Sequence, residues 1–562
     1  MKHWIALAGI VLLGVVAIVV SERRKVDTEA SPAAVLYLIA DTEHELTRMP
    51  VRFTRMSDAE EIQAGDEIAR QYLTSQPRQK SQEYALIEGY LARVGAQLAA
   101  HAHRKLPYRF HYIPEKYFVN AFAVPGGHVF VGEGLLALMD SEDELASVIG
   151  HEIEHIDHYH CAERVQQEQA LRKIPLGELV ALPIEIFEAG YSKDQELEAD
   201  REGTRLAVQT GYSASGAIRM FETFQRLYEE YESHARTPEE ELSNLAQQIL
   251  SGYFRSHPLP KERIAQIQQM MASEGWSVHA ERDLAVGFIF WTSRAEEAFT
   301  SHRYAQAQQI ALRSLQMRPD QQRALWILGR AQFAQADFGD AAASLRKALA
   351  IDSPDAQLIR EYALALAAAD RKGAAAEFHR WMESLKDGGS DQLKVPIAGL
   401  ALLAGDTTDA RNAAALARAR IGEEWAPQWL GELGAWYYMA GDYATALELL
   451  NHALQQRPGD PRISTVRAWV QIQNRTLADA LQGLDSVYGS DSVTPDTTMA
   501  RAVAQWLAHE RTAAMANFST GTSKRPEWKD PRWVKALYSP VVVEAVGEMQ
   551  DEQQRREKAA RR

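Results

Sequence analysis

Cysteine and net positive charge are both scarce in this sequence. Cys161 is the single cysteine among 562 residues, so no disulfide can form within the chain, and cysteine usage cannot assign it to an oxidising compartment. The formal net charge is −15, and a chain of that sign is a poor general binder of nucleic acid or of acidic membrane surfaces. We therefore expect no nucleic-acid partner.

Long hydrophobic runs are also scarce, and the exception lies at the N-terminus. Trp4 to Val20 is 17 residues without a charge, about 25 Å long as a helix, which is the short end for a membrane span. No clear A-x-A cleavage site and no lipobox cysteine accompanies it. We interpret residues 1–25 as an uncleaved membrane anchor, with a cleaved signal segment as the alternative. Basic residues on both sides of the run leave its orientation undecided.

The length exceeds what one core supports, so at least two domains are expected. Residues 26–56 are polar and read as a linker. Residues 57–275 mix helical and strand patterns, which predicts an α+β fold that is mainly helical with a small sheet. In this region "YRFHYIP" alternates like a strand, and "VNAFAVPGGHVFVGEGLL" predicts two strands around a Pro-Gly-Gly turn.

Residues 290–520 are alanine-rich and predict an all-α domain with internal repeats. Similar units begin at Tyr304, Phe338 and Tyr443, with an alanine three residues later and a leucine eleven residues later. The first two units are 34 residues apart, and a proline closes each one, which is typical of tetratricopeptide repeats stacked into a solenoid. A helical bundle without repeats is the alternative. Residues 521–562 end in charged residues and are interpreted as a C-terminal tail.

The sequence "HEIEH", residues 151–155, lies within a predicted helix that has Ser141 and Glu144 as a capping box at its start. Four residues turn a helix by about 400°, so His151 and His155 lie on nearly one face and can share one zinc ion. Glu152 lies about 100° round the helix from His151, where it can take a proton from an attacking water. Three polar residues on a solvent-facing helix are the alternative.

A third ligand has to come from elsewhere, because catalytic zinc usually takes three protein ligands and keeps one position open. His158 and His160 are close in sequence, but a downstream carboxylate is the better candidate. The segment "YSKDQELEADREG" contains Glu196 and Asp200 four residues apart, and Glu196 can bind the metal while Asp200 accepts the N–H of a ligand histidine. By itself this segment would read as a charged surface helix.

The order HExxH and then ExxxD is the gluzincin pattern, and residues 57–275 resemble the zinc peptidase family that includes HtpX and the CAAX prenyl protease. Three segments match the family in order: "NAFAVPGGHVFVGEGLL", "YSKDQELEAD" and "RSHPLPKERI". With repeats behind this domain, the chain is most similar to a bacterial periplasmic branch. The resemblance implies a zincin-type metalloprotease domain followed by a tetratricopeptide-like solenoid.

The resemblance also implies site roles. His151, His155 and Glu196 would hold one Zn²⁺ per chain, Glu152 would act as general base, and Asp200 would support a ligand. Further roles fall to Asn120, Ala121 and Phe122 as an edge strand that pairs with substrate, to Arg263 as an ion-pair residue, and to His257 as a residue that blocks the open position or stabilises the oxyanion. The alternative for His257 is a loop histidine without a role in the site.

Glu154 departs from the family, because most relatives carry a small residue there. It could approach the metal or point to solvent. Cys161 reads as a small buried residue.

These observations predict a zinc-dependent metalloendopeptidase that hydrolyses peptide bonds of envelope proteins in protein quality control. Protein or peptide substrates, and an envelope assembly complex bound through the repeats, are the expected partners. The expected location is the bacterial cell envelope, either single-pass and anchored through the N-terminal segment with periplasmic domains, or soluble in the periplasm after cleavage. The alternative function is a repeat-based chaperone or scaffold whose protease domain is latched or silent.

Overall fold

The computed structural model describes residues 56–75, 81–171, 187, 191–234, 260–352, 355–383, 393–420, 422–487 and 493–560. The chain divides into two units at residues 287 and 288. The predicted anchor, Trp4 to Val20, lies outside the described residues. Among the described residues, no helix is both long enough and apolar enough to cross a membrane.

The first unit contains eight helices and three strands within its described part. In chain order these are α1 Asp58–Ser75, α2 Gln82–Ala99, β1 Arg109–Ile113, β2 Ala121–Val124, β3 His128–Gly132, α3 Glu133–Leu136, α4 Glu142–Asp157, α5 His160–Leu171, α6 Lys193–Gln209, α7 Ser215–His234 and α8 Pro260–Glu274. The prediction of a mainly helical α+β fold with a small sheet is therefore confirmed.

The sheet has the order β1-β3-β2, so that β2 is an edge strand. β1 runs parallel to β3, whereas β2 pairs with β3 in antiparallel register through Phe122 and Phe130. The turn between β2 and β3 is the predicted Pro-Gly-Gly sequence, and Gly126 has a φ of +77°. That backbone region favours glycine, and a Cβ atom there would also lie 2.6 Å from the Cα atom of Ile62 in α1.

α4 begins with the predicted capping box, in which Ser141 and Glu144 each accept a hydrogen bond from the other's backbone N–H. The segment "SEDELASVIGHEIEHIDHYH" reads from the sequence as one helix that reaches His160, and that reading is wrong. It ends at Asp157, Tyr159 has a φ of +64°, and α5 starts at His160. Arg104 stabilises the break, because its guanidinium donates to the Ile156 carbonyl and lies 3.8 Å from the centre of the Tyr159 ring.

The second unit is all helical in its described part. It contains α9 Gly287–Thr300, whose first residue closes the first unit, and α10 Tyr304–Met317, α11 Gln322–Ala334, α12 Phe338–Leu349, α13 Ala356–Ala369, α14 Ala374–Glu383, α15 Lys394–Leu403, α16 Thr408–Ala419, α17 Ala426–Ala440, α18 Tyr443–Gln456, α19 Pro461–Gln473, α20 Leu477–Asp485, α21 Pro495–Leu507, α22 Arg511–Lys524, α23 Pro531–Leu537 and α24 Pro540–Ala560.

The predicted repeat units match helix boundaries in this second unit. Tyr304, Phe338 and Tyr443 are the first residues of α10, α12 and α18. The alanine three residues later is fully buried in each unit, at Ala307, Ala341 and Ala446, because a small side chain lets neighbouring helices approach closely. The prediction of a tetratricopeptide-like helical domain is confirmed.

The segment interpreted as a C-terminal tail belongs largely to this helical core. Trp528, Trp533, Val546 and Met549 are at most 1% exposed and pack in the same cluster as the repeat helices. The tail interpretation rested on the charged last residues. It failed because the apolar residues before them bury their surface on helices far away in sequence.

Candidate metal centre

Three side chains converge in the first unit on a point between α4 and α6. The Nε2 atoms of His151 and His155 lie 3.0 Å apart, and each lies 3.5 Å from a carboxylate oxygen of Glu196. All three residues are buried. α4 carries both histidines one turn apart, while α6, which begins at its own capping box of Ser192 and Gln195, carries Glu196.

The other ring nitrogen of His151 contacts Asp200, at 2.9 Å from Nδ1 to Oδ1. Arg263 of α8 donates to both oxygens of the same carboxylate. Burial alone would raise the pKa of Asp200, but the Arg263 charge and these hydrogen bonds outweigh it and hold the pKa below its usual value. Asp200 is therefore an anion that accepts the Nδ1–H of His151 and turns Nε2 toward Glu196.

Two buried carboxylates, those of Asp200 and Glu196, flank the His151 ring. Burial would lower the pKa of His151, yet the carboxylates of Asp200 and Glu196 raise it to about 10. Burial lowers the pKa of His155, which keeps that ring neutral. A neutral imidazole is the form that binds a metal ion, and the two carboxylates favour a cation between the rings.

The surroundings of His155 were not anticipated from the sequence. Its Nδ1 lies 2.9 Å from Nδ1 of His160, and the ring of Tyr191 stacks on it with 3.9 Å between ring centres. On an unbroken helix, His160 would lie about 140° round from His155. Only the break at Tyr159 brings the two rings together, so helical periodicity carried no signal for this contact.

Glu152 lies beside the convergence point and is 2% exposed. Burial raises the pKa of its carboxyl group to about 7, and Glu196 adds to this effect, while His151, Arg263 and the Ala123 backbone N–H oppose it. A carboxyl group with a pKa near neutrality can both accept and return a proton. The Ala123 contact also brings Glu152 next to β2.

The donor set fits a metal ion. Among the described residues, His151, His155 and Glu196 are the one group whose histidine and carboxylate donor atoms all lie within 4.8 Å of one another. Two imidazoles and one carboxylate, with a fourth position left for water or substrate, are typical of catalytic zinc.

A small pocket opens beside these residues. It has a volume of about 30 Å³, roughly the share of one water molecule in the liquid. Besides His151, Glu152 and Asp200, its walls are largely apolar and include Leu135, Val148, Ala217, Met220 and Phe221.

The edge strand β2 begins at Ala121, one residue after the start of the predicted edge strand at Asn120. Asn120, Ala121 and Phe122 are all buried, and the Asn120 side chain accepts the Ala121 N–H at 3.0 Å. The Asn120 carbonyl accepts the Gly132 N–H, so by the alternation of antiparallel pairs the backbone groups of Ala121 face away from β3. That outer edge is the side on which Ala123 meets Glu152.

The sequence also singled out Glu154, Cys161 and His257. Glu154 is 2% exposed and lies 3.3 Å from Nε2 of His158, so of the two alternatives for it the one in which it points to solvent is wrong. Cys161 is fully buried, with its sulfur 3.1 Å from the Tyr191 hydroxyl, as expected of a small buried residue. His257 lies outside the described residues.

The first unit matches a known peptidase family. Residues 85–189 and 178–271 match peptidase family M48, and residues 437–492 match the tetratricopeptide repeat. The chain is 28% identical to the beta-barrel assembly-enhancing protease of Escherichia coli over 233 residues, which is 37% of this chain and 43% of that protein. It is 29% identical to the mitochondrial metalloendopeptidase OMA1 of Arabidopsis thaliana over 164 residues, 28% of this chain and 30% of that protein.

These matches span less than half the length of either relative. Among solved structures, a tetratricopeptide repeat protein from Parabacteroides merdae matches with 13% identity and a TM-score of 0.31, covering 47% of this chain and 98% of that one. The family matches alone place a peptidase family M48 domain at residues 85–271 and a tetratricopeptide repeat at residues 437–492.

Proposed function

We propose that this chain is a zinc-dependent metalloendopeptidase with one Zn²⁺ held by His151, His155 and Glu196. The observation that carries the proposal is the convergence of these three donor atoms next to a buried glutamate and a sheet edge. When bound, zinc polarises the scissile carbonyl and makes water more acidic. The Arg263–Asp200 pair holds His151 in the orientation that the metal requires.

Glu152 is the proton carrier in this proposal. Its carboxylate takes a proton from the attacking water and returns it to the leaving amine, so no covalent intermediate with the chain forms. Burial raises its pKa to about 7. A carboxylate of that pKa accepts a proton more readily than an ordinary carboxylate does, and it can still release the proton near neutral pH.

The substrate is an extended peptide that pairs with the outer edge of β2. Backbone pairing at a sheet edge recognises the main chain rather than particular side chains, which suits an enzyme that acts on many proteins. We place this pairing at Asn120, Ala121 and Phe122, the segment that leads toward Ala123 and Glu152, where Ala121 presents its backbone to the outer edge.

We also propose that the substrates are bacterial envelope proteins and that the repeats recruit them or an assembly complex in protein quality control. The name of the Escherichia coli relative, a beta-barrel assembly-enhancing protease, supports this role. The periplasm is the proposed location, for a chain that is either soluble or held by its N-terminal segment. Protease added to intact spheroplasts should then degrade the repeat domain; degradation only after lysis would exclude this location.

Casein cleavage by purified protein tests the enzymatic proposal. Wild type should cleave casein, a chelator should stop cleavage, and added zinc should restore it. Glu152→Gln should abolish cleavage while zinc content stays unchanged. Glu154→Gln, two residues along the same helix, is the matched control and should remain active. If zinc-loaded wild type and Glu152→Gln are equally inert, the chaperone or scaffold alternative is favoured.

A further inference from the structure

The hydrogen bond between His155 and His160 fixes which nitrogen of His155 can bind a metal. Both rings are at most 4% exposed, and their Nδ1 atoms lie 2.9 Å apart. A bond between two ring nitrogens needs one N–H donor and one lone pair. If His155 binds through Nε2, its proton must sit on Nδ1, so Nδ1 of His160 must be the acceptor.

Glu198 of α6 supplies the reason for that tautomer. One of its carboxylate oxygens lies 3.3 Å from Nε2 of His160. An ionised carboxylate can only accept a hydrogen bond, so it holds the proton of His160 on Nε2 and leaves the lone pair on Nδ1. The order of donation is then His155 Nδ1–H to His160, and His160 Nε2–H to Glu198.

We propose that His160, oriented by Glu198, is a positioning residue that holds His155 in the tautomer and ring orientation required for zinc binding. The inference rests on the proposed function and adds two residues to its site. α6 then supports both ligand histidines as well as providing the third ligand, Glu196. Asp200 acts on His151 directly, whereas Glu198 acts on His155 through a second imidazole.

The backbone conformation at Tyr159 is what places His160 against His155. Tyr159 adopts a left-handed conformation, with φ of +64°, which is uncommon for a bulky side chain and strains the backbone. This break in the helix brings the His160 ring into contact with the His155 ring. The Tyr191 ring stacks on one face of the same imidazole.

Zinc affinity, measured by competition with a chromophoric chelator, tests the proposal without relying on peptidase activity. His160→Leu removes the acceptor and should weaken zinc binding about 10- to 100-fold, the usual effect of losing a partner of a metal-bound histidine. His160→Gln keeps an acceptor oxygen and should recover part of that affinity. Glu198→Ala, at a position whose side chain is 38% exposed, should lower affinity less and serves if His160→Leu fails to fold.

His158→Gln is the matched control, because His158 also faces Glu198 but contacts no ligand. It should change zinc affinity less than about threefold. Wild-type zinc affinity in folded His160→Leu, or in Glu198→Ala where His160→Leu does not fold, would overturn the positioning role while leaving the peptidase intact. A loss of affinity in His158→Gln as large as that in His160→Leu would overturn it too. Wild-type protein that binds no zinc would overturn the proposed function itself.

Discussion

Gly150 and Gly203 lie against each other where α4 crosses α6. A Cβ atom on Gly150 would lie 2.7 Å from the Gly203 carbonyl oxygen, and one on Gly203 would lie 2.6 Å from the His151 backbone nitrogen. Both distances are shorter than real Cβ contacts, so the two helices approach closely only because neither glycine has a side chain. This close approach brings Glu196 within reach of His151 and His155.

Gly203→Ala should therefore separate the ligands as well as strain the helices. We expect a loss of about 1–3 kcal/mol in the stability of the first unit, as for other overpacked sites, and a clear drop in zinc affinity. Thermal unfolding and chelator competition measure the two effects. Gly89→Ala in α2 is the control, since nothing lies within 4 Å of its added Cβ, and it should stabilise by about 0.5–1 kcal/mol. Unchanged zinc affinity in Gly203→Ala would refute the spacing argument.

Glu154→Gln should leave zinc affinity within about threefold of wild type. Its carboxylate pairs with His158 and is not part of the ligand group. Burial raises the pKa of Glu154, so a neutral amide of the same shape should cost little stability. The measurements are zinc competition and thermal unfolding. A large loss of zinc affinity would instead mean that the Glu154 charge acts directly on the metal.

Mild acid should loosen the sheet through His111. Burial, then His128 and Arg109, lower the pKa of His111 from 6.5 to about 4. His128 is paired in turn with Asp66. Between these two pKa values the unfolded chain therefore binds a proton on His111 that the folded chain does not bind. The stability that neutral His111 contributes to the fold is complete above pH 6.5 and is lost as pH falls toward 4. The full effect is of the order of 3 kcal/mol.

Hydrogen exchange of the β1 and β3 amides at pH 7 and pH 5, corrected for intrinsic rates, measures that loss. Protection should fall more in wild type than in His111→Gln, which keeps a hydrogen-bonding group but does not titrate. His279→Gln, at an exposed position, should behave as wild type. Equal pH sensitivity in His111→Gln and wild type would assign the effect to other groups.

Truncation distinguishes the buried part of the C-terminal segment from its exposed end. Removing residues 551–562 should be tolerated, because most of those described are exposed. Removing residues 526–562 also takes away Trp528, Trp533 and Met549 and should destabilise the second unit by several kcal/mol, since each buried aromatic is worth about 3–5 kcal/mol. Limited proteolysis and circular dichroism of the full-length and truncated chains report the difference. Equal resistance of both truncations would mean that the segment is dispensable.

Local patterns in the sequence were enough to predict most of the helices and strands of the metal site and the repeats. The capping box at Ser141, the strands on either side of the Pro-Gly-Gly turn, and helices that begin at Tyr304, Phe338 and Tyr443 all follow from residues within one turn or one strand of each other. Such short-range relationships are fixed by helix and strand geometry. They also sufficed to group His151 and His155 on one face of a helix.

The third ligand needed more than spacing. By itself, the segment around Glu196 reads as a charged surface helix, because nothing local in residues 193–209 shows what that helix packs against. Only its pairing with HEIEH favours a ligand there. The structure brings Glu196 to the histidines through the contact between Gly150 and Gly203, which are more than 50 residues apart in sequence.

The sequence by itself therefore determined the helical face that carries His151, Glu152 and His155, since four residues make about one turn wherever the helix lies. Only the tertiary structure decided the partners of that face. Arg104 stabilises the helix break at which His160 meets His155, and Trp528 and Trp533 enter the core of the repeats. Each of these depends on surfaces that come together from distant segments, where burial and hydrogen bonding override local preference.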